Sequence, residues 1–215
     1  MIDQHHDKEH LVAIMSHLQL YYFPLSGHSH KVLTLASMLD LSIETVTVDI
    51  KSGEHLSESF VHLNPAAKIP VLVDGDTVIT DSHAILFYLA RQYDPARVWY
   101  PTDLTTQVEI QRWFALSAGE LCNGPVALRG IRVLGKPGNE AHAMQQTLRL
   151  FSLLSTQLEQ SPWLAGVTPT LADIALYSYT ALIARLEPSL RDFPRVLDWL
   201  ARFEQLPGYR ALPAK

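Results

Sequence analysis

Hydrophobic and polar positions change period several times along the first half of this chain. From His17 to Phe23, Leu18, Leu20 and Tyr22 fall on one face, which predicts a strand stopped by Pro24 and turned at Gly27. From Ser29 to Leu39 the period becomes helical, with Val32, Leu33, Leu35, Ala36 and Leu39 on the apolar side. Alternation and β-branched residues return from Glu44 to Ile50, a second strand. Lys51 to Leu63 is polar with a weak helical period. Pro70 to Val73 and Thr77 to Thr80 read as two strands joined at the hairpin signal Asp74-Gly75-Asp76. Asp81-Ser82 then opens a helix carrying Ile85, Leu86, Tyr88 and Leu89.

The predicted order is therefore β-α-β-α-β-β-α. Strands joined through a helix pair in parallel, and strands joined by a tight turn pair antiparallel. The result is a small mixed sheet with helices, the order of a thioredoxin-like domain. After Tyr93 the pattern changes. Asp94 to Thr102 reads as a linker, and beyond it only helical periods occur: Thr105–Leu121, Ala141–Leu158, Leu171–Leu186 and Asp192–Gln205. That half is expected to be an all-helical bundle. The expected organisation is a flexible N-terminal extension over 1–16, a thioredoxin-like domain over 17–93, a linker over 94–102 and a helical domain over 103–215. Within the bundle, Thr170-Leu171-Ala172-Asp173 reads as a capping box with Asp in the Glu position, flanked by Pro169 and Ile174 as a hydrophobic staple.

Composition narrows the function. Of 215 residues, 47% are hydrophobic and 18% charged, enough to build a core and to exclude wholesale disorder. Lys and Arg total 17 against 22 Asp and Glu, and no basic stripe occurs, so nucleic acid is not an expected partner. A lone cysteine, Cys122, excludes an internal disulfide, a CxxC motif and an all-cysteine metal site. It points to a reducing, cytoplasmic compartment. No apolar stretch approaches the roughly 20 residues that span a bilayer, so no membrane partner is expected. Met1 to His10 is polar and His-rich, without the pattern of a signal peptide, and Met15-Ser16 would serve as a start. The histidines there read as a solvated tail, and no metal is expected.

Three features carry candidate chemistry. The loop Pro24-Leu25-Ser26-Gly27-His28-Ser29 leaves a strand and enters a helix, whose N-terminus favours an anion. A hydroxyl of Ser26 or Ser29 there either caps the helix or donates to a bound thiolate. In Lys68-Ile69-Pro70-Val71-Leu72, a proline heads a buried strand. A cis Ile69-Pro70 bond would turn the backbone groups of Ile69 outward toward an extended peptide, although cis is the minority form of X-Pro bonds. Asp81-Ser82 either caps its helix or holds an amino-acid head group, which carries both charges.

With these residues in hand, the chain resembles the cytosolic glutathione S-transferase family, in its bacterial type related to the phi, delta, theta and zeta classes. The resemblance runs from about Ser16 to the C-terminus. It is carried by Pro24-Leu25-Ser26-Gly27, Asn64 to Leu72, Asp81-Ser82-His83-Ala84-Ile85 and Thr170 to Ala175, in that order and spacing. It implies that Ser26 is the catalytic hydroxyl that activates glutathione. It implies that Ile69, ahead of a cis Pro70, pairs with the cysteinyl unit, with Lys68 beside the tripeptide backbone. Asp81 and Ser82 would hold the γ-glutamyl amine and carboxylate, and His55 the glycyl end. The chain departs from its relatives at Ala67, where some keep a histidine, at His83, where an arginine is common, and at His28.

The implied reaction is attack of the glutathione thiolate on a small hydrophobic electrophile held between the domains, with Trp113, Leu116, Leu121 and Tyr177 as candidate lining. Glutathione is the co-substrate, and no permanently bound cofactor is expected. A two-fold homodimer is implied by the same resemblance. His62 and His83 read as solvated or capping, and Cys122 as a structural thiol. Two alternatives stand beside the transferase: a glutathione-dependent disulfide or peroxide reductase, and a non-catalytic binding or regulatory protein of the same fold.

Overall fold

A computed structural model describes residues 18–213; the expected extension over 1–16 lies outside the described residues. Four strands form one mixed sheet in the order β2-β1-β3-β4. They are β1 (Leu18–Tyr22), β2 (Ile43–Thr47), β3 (Val71–Asp74) and β4 (Thr77–Thr80). β1 runs parallel to β2, and β3 is antiparallel to both β1 and β4. Both directions follow the connections read from the sequence: β1 reaches β2 through the helix α1 (Gly27–Met38), and β3 reaches β4 through the turn at Gly75, whose φ of 56° suits a glycine.

The period-2 pattern sends Leu18, Leu20 and Leu72 to one face, where they join the main core. Val71 points the other way and meets Val48 and Phe60 beneath the short helix α2 (Glu58–Leu63). A single 3-10 turn, Glu54–Leu56, precedes α2. Helix α3 (Ser82–Gln92) follows β4, and residues 93–103 run to the helical half without helix or strand.

The helical half holds α4 (Leu104–Leu116), α5 (Ala127–Leu134), α6 (Glu140–Gln160), α7 (Leu171–Ala184) and α8 (Pro194–Phe203). The chain does not break between α4 and α5. Ser117–Val126 continues the helix in a wider, π-helical winding, in which the Ala127 amide donates back to the Cys122 carbonyl five residues earlier. Gly124-Pro125 therefore does not end the helix, as a turn signal would suggest. The missing amide of Pro125 is absorbed by the local change in hydrogen-bond spacing. Gly124 is required here for a different reason: a Cβ on it would come within 2.7 Å of the Thr147 backbone nitrogen on α6.

α7 is the central post of the molecule, buried along nearly its whole length. Its N-terminus carries the capping box read from the sequence. Thr170 Oγ1 accepts from the Ala172 amide at 3.2 Å, and the Asp173 carboxylate accepts from the Thr170 amide at 2.9 Å. That carboxylate also takes the Leu164 amide at 3.0 Å and the Trp199 indole at 2.9 Å, tying α7 to α8. No helix among the described residues is long and apolar enough to cross a membrane.

Candidate active site

Helix α1 lies between the sheet and the helical half, so Ser29 through Ala36 are all buried and these turns have no solvated face. This was not visible as an apolar stripe, because Ser29, His30, Lys31 and Thr34 are polar. Each of them has found a partner. His30 Nε2 donates to the Arg210 carbonyl at 2.8 Å, which leaves Nδ1 to accept from the Ser178 hydroxyl at 2.9 Å. Lys31, with no exposed surface, donates to Ser117 Oγ at 3.1 Å.

Ser117 is a junction between the two halves. Its one proton goes to the Ala175 carbonyl at 3.1 Å, so its oxygen can only accept from its other neighbours. Lys31 is one of these; His83 Nε2, at 2.9 Å, must be the other and carries the ring proton. His83 also stacks on Phe114, with ring centroids 4.8 Å apart. Burial, and secondarily Lys31, brings its pKa down to about 4, so it is neutral at pH 7. It is thus a packed contact between α3 and the helical half, not the solvated or capping residue expected.

In front of this junction opens a cavity of about 380 Å³. Its walls include His28, Lys68, Ile69, Pro70, Asp81, Ser82, His83, Ala118 and Cys122. Lys68, Ile69, Pro70, Asp81 and Ser82, five of the six residues that the resemblance assigns to glutathione, therefore meet in one place. The Ile69-Pro70 peptide bond is cis. The Asn64 side chain donates to the Lys68 carbonyl at 2.7 Å and fixes the loop ahead of it.

Asp81 has φ 74°, a left-handed value that is unfavourable for a residue with a Cβ. Such backbone strain clusters at ligand-binding positions. Its side chain caps α3, with Oδ1 accepting from the His83 amide at 2.8 Å and the Ala84 amide at 3.3 Å. Capping and ligand binding are compatible, because both bonds use Oδ1 and leave Oδ2 available. Ser82 is buried beside His28, whose Nδ1 lies 3.5 Å from Ser82 Oγ. Burial, then the charge of Lys31, holds His28 well below the usual histidine range.

Ser26 is the N-cap of α1, with its oxygen accepting from the Ser29 amide at 3.3 Å. It is 8% exposed and is not among the residues lining the cavity, although His28, two residues further along, is. Ser29 is 1% exposed and its hydroxyl accepts from the Phe23 amide at 3.3 Å, which turns it inward. His55, on the 3-10 turn, lies outside the cavity wall; its buried Nδ1 has no hydrogen-bond partner.

The expected electrophile lining does not assemble. Trp113 and Leu121 have no exposed surface, and the Trp113 indole donates to the Leu164 carbonyl at 2.8 Å inside the bundle. Tyr177 is equally buried, stacked on Phe203 with its hydroxyl 2.8 Å from Glu204 Oε1. Leu116 is half-buried and packs against the main core. Periodicity identified which residues leave the helix surface but not which neighbour they meet. The helical-half residues that do face the cavity are Ala118 and Cys122, one wide turn apart. Burial raises the Cys122 thiol, so it stays protonated at neutral pH.

A thioredoxin-like sheet and a helical half packed on α1 thus frame one cavity that brings together a cis-proline, a strained helix cap and the first turn of α1. Residues 16–91 match the glutathione S-transferase N-terminal domain family and residues 133–207 the corresponding C-terminal domain family. The chain is similar to glutathione S-transferase theta-2 of Rattus norvegicus, 32% identical over 202 residues that cover 89% of this chain and 82% of the relative. It is also similar to glutathione S-transferase D7 of Drosophila melanogaster, 31% identical, covering 91% of this chain and 88% of the relative. Among solved structures, one described as a possible glutathione S-transferase from Rhodopseudomonas palustris superposes with a TM-score of 0.85 at 26% identity, covering 93% of this chain and all (100%) of that one. A Drosophila mojavensis homologue with bound glutathione superposes with a TM-score of 0.81 at 29% identity, covering 90% of each chain. The chain belongs to the glutathione S-transferase family.

Proposed function

We propose that this protein is a glutathione transferase that joins the thiol sulfur of glutathione to small hydrophobic electrophiles, with Ser26 as the hydroxyl that holds the thiolate. The observation that carries the reading is the meeting, in one cavity beside the α1 N-terminus, of the cis Ile69-Pro70 bond with the strained Asp81-Ser82 cap. The Ile69 backbone would pair with the cysteinyl unit, Lys68 would lie along the tripeptide, and Asp81 and Ser82 would hold the γ-glutamyl head group. The unpartnered Nδ1 of His55 is a donor or acceptor without a use in the free protein, in keeping with a role at the glycyl end.

A free thiol ionises near about pH 8.5 and is mostly protonated at neutral pH. A hydrogen bond to a charged group contributes roughly 1.5–3 kcal/mol, and a helix N-terminus about 0.3–1 kcal/mol more. At about 1.4 kcal/mol per pKa unit, these suffice to lower the bound thiol by one to two units. The thiol proton leaves to solvent. The thiolate then attacks an electrophilic carbon; the carbon–sulfur bond forms as the bond to the leaving group, such as a halide, breaks with its electron pair.

Purified protein should be retained on immobilised glutathione and should conjugate an aryl halide, and Ser26→Ala should lower that rate severalfold. Full activity in Ser26→Ala would sink the serine reading. Cys122 on the cavity wall gives disulfide reduction a specific foothold, but its protonated state speaks for conjugation. A panel of aryl halides, epoxides, disulfides and hydroperoxides separates the two. We also propose a cytoplasmic homodimer with its interdomain boundary over 94–102. Leu56, Leu104 and Val108 are large apolar side chains at 65%, 74% and 56% exposure, in keeping with a covered surface.

A further inference from the structure

The β1–α1 loop that holds Ser26 is clasped from the helical half by two buried residues. Tyr179, on α7, lays its ring against Gly27 so closely that a Cβ there would come within 2.7 Å of the ring and 2.9 Å of the hydroxyl-bearing carbon. Only glycine permits this approach. The hydroxyl-bearing end of the Tyr179 ring therefore lies beside Gly27 and next to its neighbour Ser26, close enough for the two hydroxyls to interact. Its ring also meets that of His28, with centroids 4.9 Å apart. Arg129, on α5, is 5% exposed and donates from Nη1 to the Leu25 carbonyl at 3.2 Å, with its charge beside Tyr179. A buried polar residue at such a point has to be accounted for.

Ser26 has one proton and two lone pairs. One lone pair takes the Ser29 amide. We propose that Tyr179 is a positioning residue: its hydroxyl donates to the second lone pair of Ser26 Oγ, so that the single serine proton is turned toward the bound thiolate. A donor chain of this kind polarises its last member, and the neighbouring Arg129 charge makes the phenol a stronger donor. This inference rests on the serine reading and adds to it a residue from the opposite half of the chain.

The test is the pH profile of kcat/KM for conjugation in Tyr179→Phe, Ser26→Ala and the double variant. Phenylalanine keeps the ring on Gly27 and removes only the oxygen. The charged and titratable groups near the pair are Arg129 from α5, Cys122 from the π-helical turn, His28 and Lys31 from α1, His83 from α3 and Lys68. Burial keeps both histidines neutral at neutral pH, and Lys31, which ionises at about 8, is common to all variants and cancels in the comparison. Tyr179→Phe is expected to move the acid limb upward by about 0.5 pH unit, a loss of about 3-fold below the thiol pKa that fades at high pH. In the Ser26→Ala background the same change should have no effect. Arg129→Met, the second variant, should move the limb in the same direction by less.

An unshifted limb in Tyr179→Phe, or a loss that multiplies that of Ser26→Ala, overturns the inference while the serine reading stands. A silent Ser26→Ala overturns both. A merely structural role would lower the melting temperature and leave the limb in place.

Discussion

Lys31 is a full positive charge with no exposed surface and only a serine hydroxyl at hydrogen-bond distance. Burial lowers its pKa from 10.5 to about 8, with the neighbouring Asp81 carboxylate pulling the other way. At about 1.4 kcal/mol per unit, the shift corresponds to a folding cost of about 3 kcal/mol. The sign follows from proton binding. Below pH 8 the amine is charged in both folded and unfolded chains, and the cost is fully present. Between pH 8 and 10.5 the folded chain releases its proton while the unfolded chain keeps it, so the cost fades as pH rises. Lys31→Met fills nearly the same volume without the charge and loses a single hydrogen bond to Ser117 Oγ. Setting about 1 kcal/mol for that bond against the relief leaves a net gain of about 2 kcal/mol at pH 7. For a chain of this size that is a rise in melting temperature of roughly 4–8 °C. Thermal melts of both proteins at pH 7 and pH 10 measure it, and the gap should narrow strongly at the higher pH. A variant less stable than the parent at pH 7, or a gap that does not change with pH, would refute the reasoning. The same charge lies beneath the cavity, so the variant should also require severalfold more glutathione for half-maximal rate. A stability cost at a binding site is the expected trade.

Gly124→Ala places a Cβ 2.7 Å from the Thr147 backbone, which cannot swing aside, and should destabilise the chain by about 1–3 kcal/mol in urea unfolding. Asp173→Ala leaves the Leu164 and Thr170 amides and the Trp199 indole without their acceptor, a loss of about 3 kcal/mol or more at pH 7, read as a fall in melting temperature. Burial raises the Asp173 carboxyl to about 6, above its unfolded 3.8, so its contribution to stability is largest below pH 3.8 and declines as pH rises through 6. That slope should vanish in the alanine variant. If the exposed apolar residues are a subunit contact, Leu104→Glu should shift sedimentation from dimer to monomer; an unchanged sedimentation coefficient would count against that surface.

What could be read beforehand was local. The strand alternation, the turn at Asp74-Gly75-Asp76 and the Thr170–Asp173 box depend on neighbours a few residues apart, and each is present in the fold. The cis bond and the Asp81-Ser82 cap were reachable through a recurring motif and now meet in one cavity. The remainder depended on what lies across the interface between halves. Trp113, Leu121 and Tyr177 have helical spacing that suits a cleft or a core equally, and the packing of α7 decided for the core. α5 was missed because the helical periods read from the sequence stop at Leu121 and resume at Ala141, whereas the π-helical winding carries the chain on through Gly124-Pro125 into α5. Lys31, Ser117, Arg129 and Tyr179 have no motif. The available signal was the run of polar residues inside α1, a helix too short of charged surface to face water.

In the proposed mechanism Ser26 and the α1 N-terminus hold bound glutathione as its thiolate. The direct measurement is a pH titration of the ultraviolet thiolate absorbance of glutathione bound to the parent protein and to Ser26→Ala. Ionisation is expected at least about one unit below the free value near 8.5 in the parent, with a return toward that value in the variant. Ionisation near 8.5 in the parent, or the same depressed value in both proteins, would contradict it.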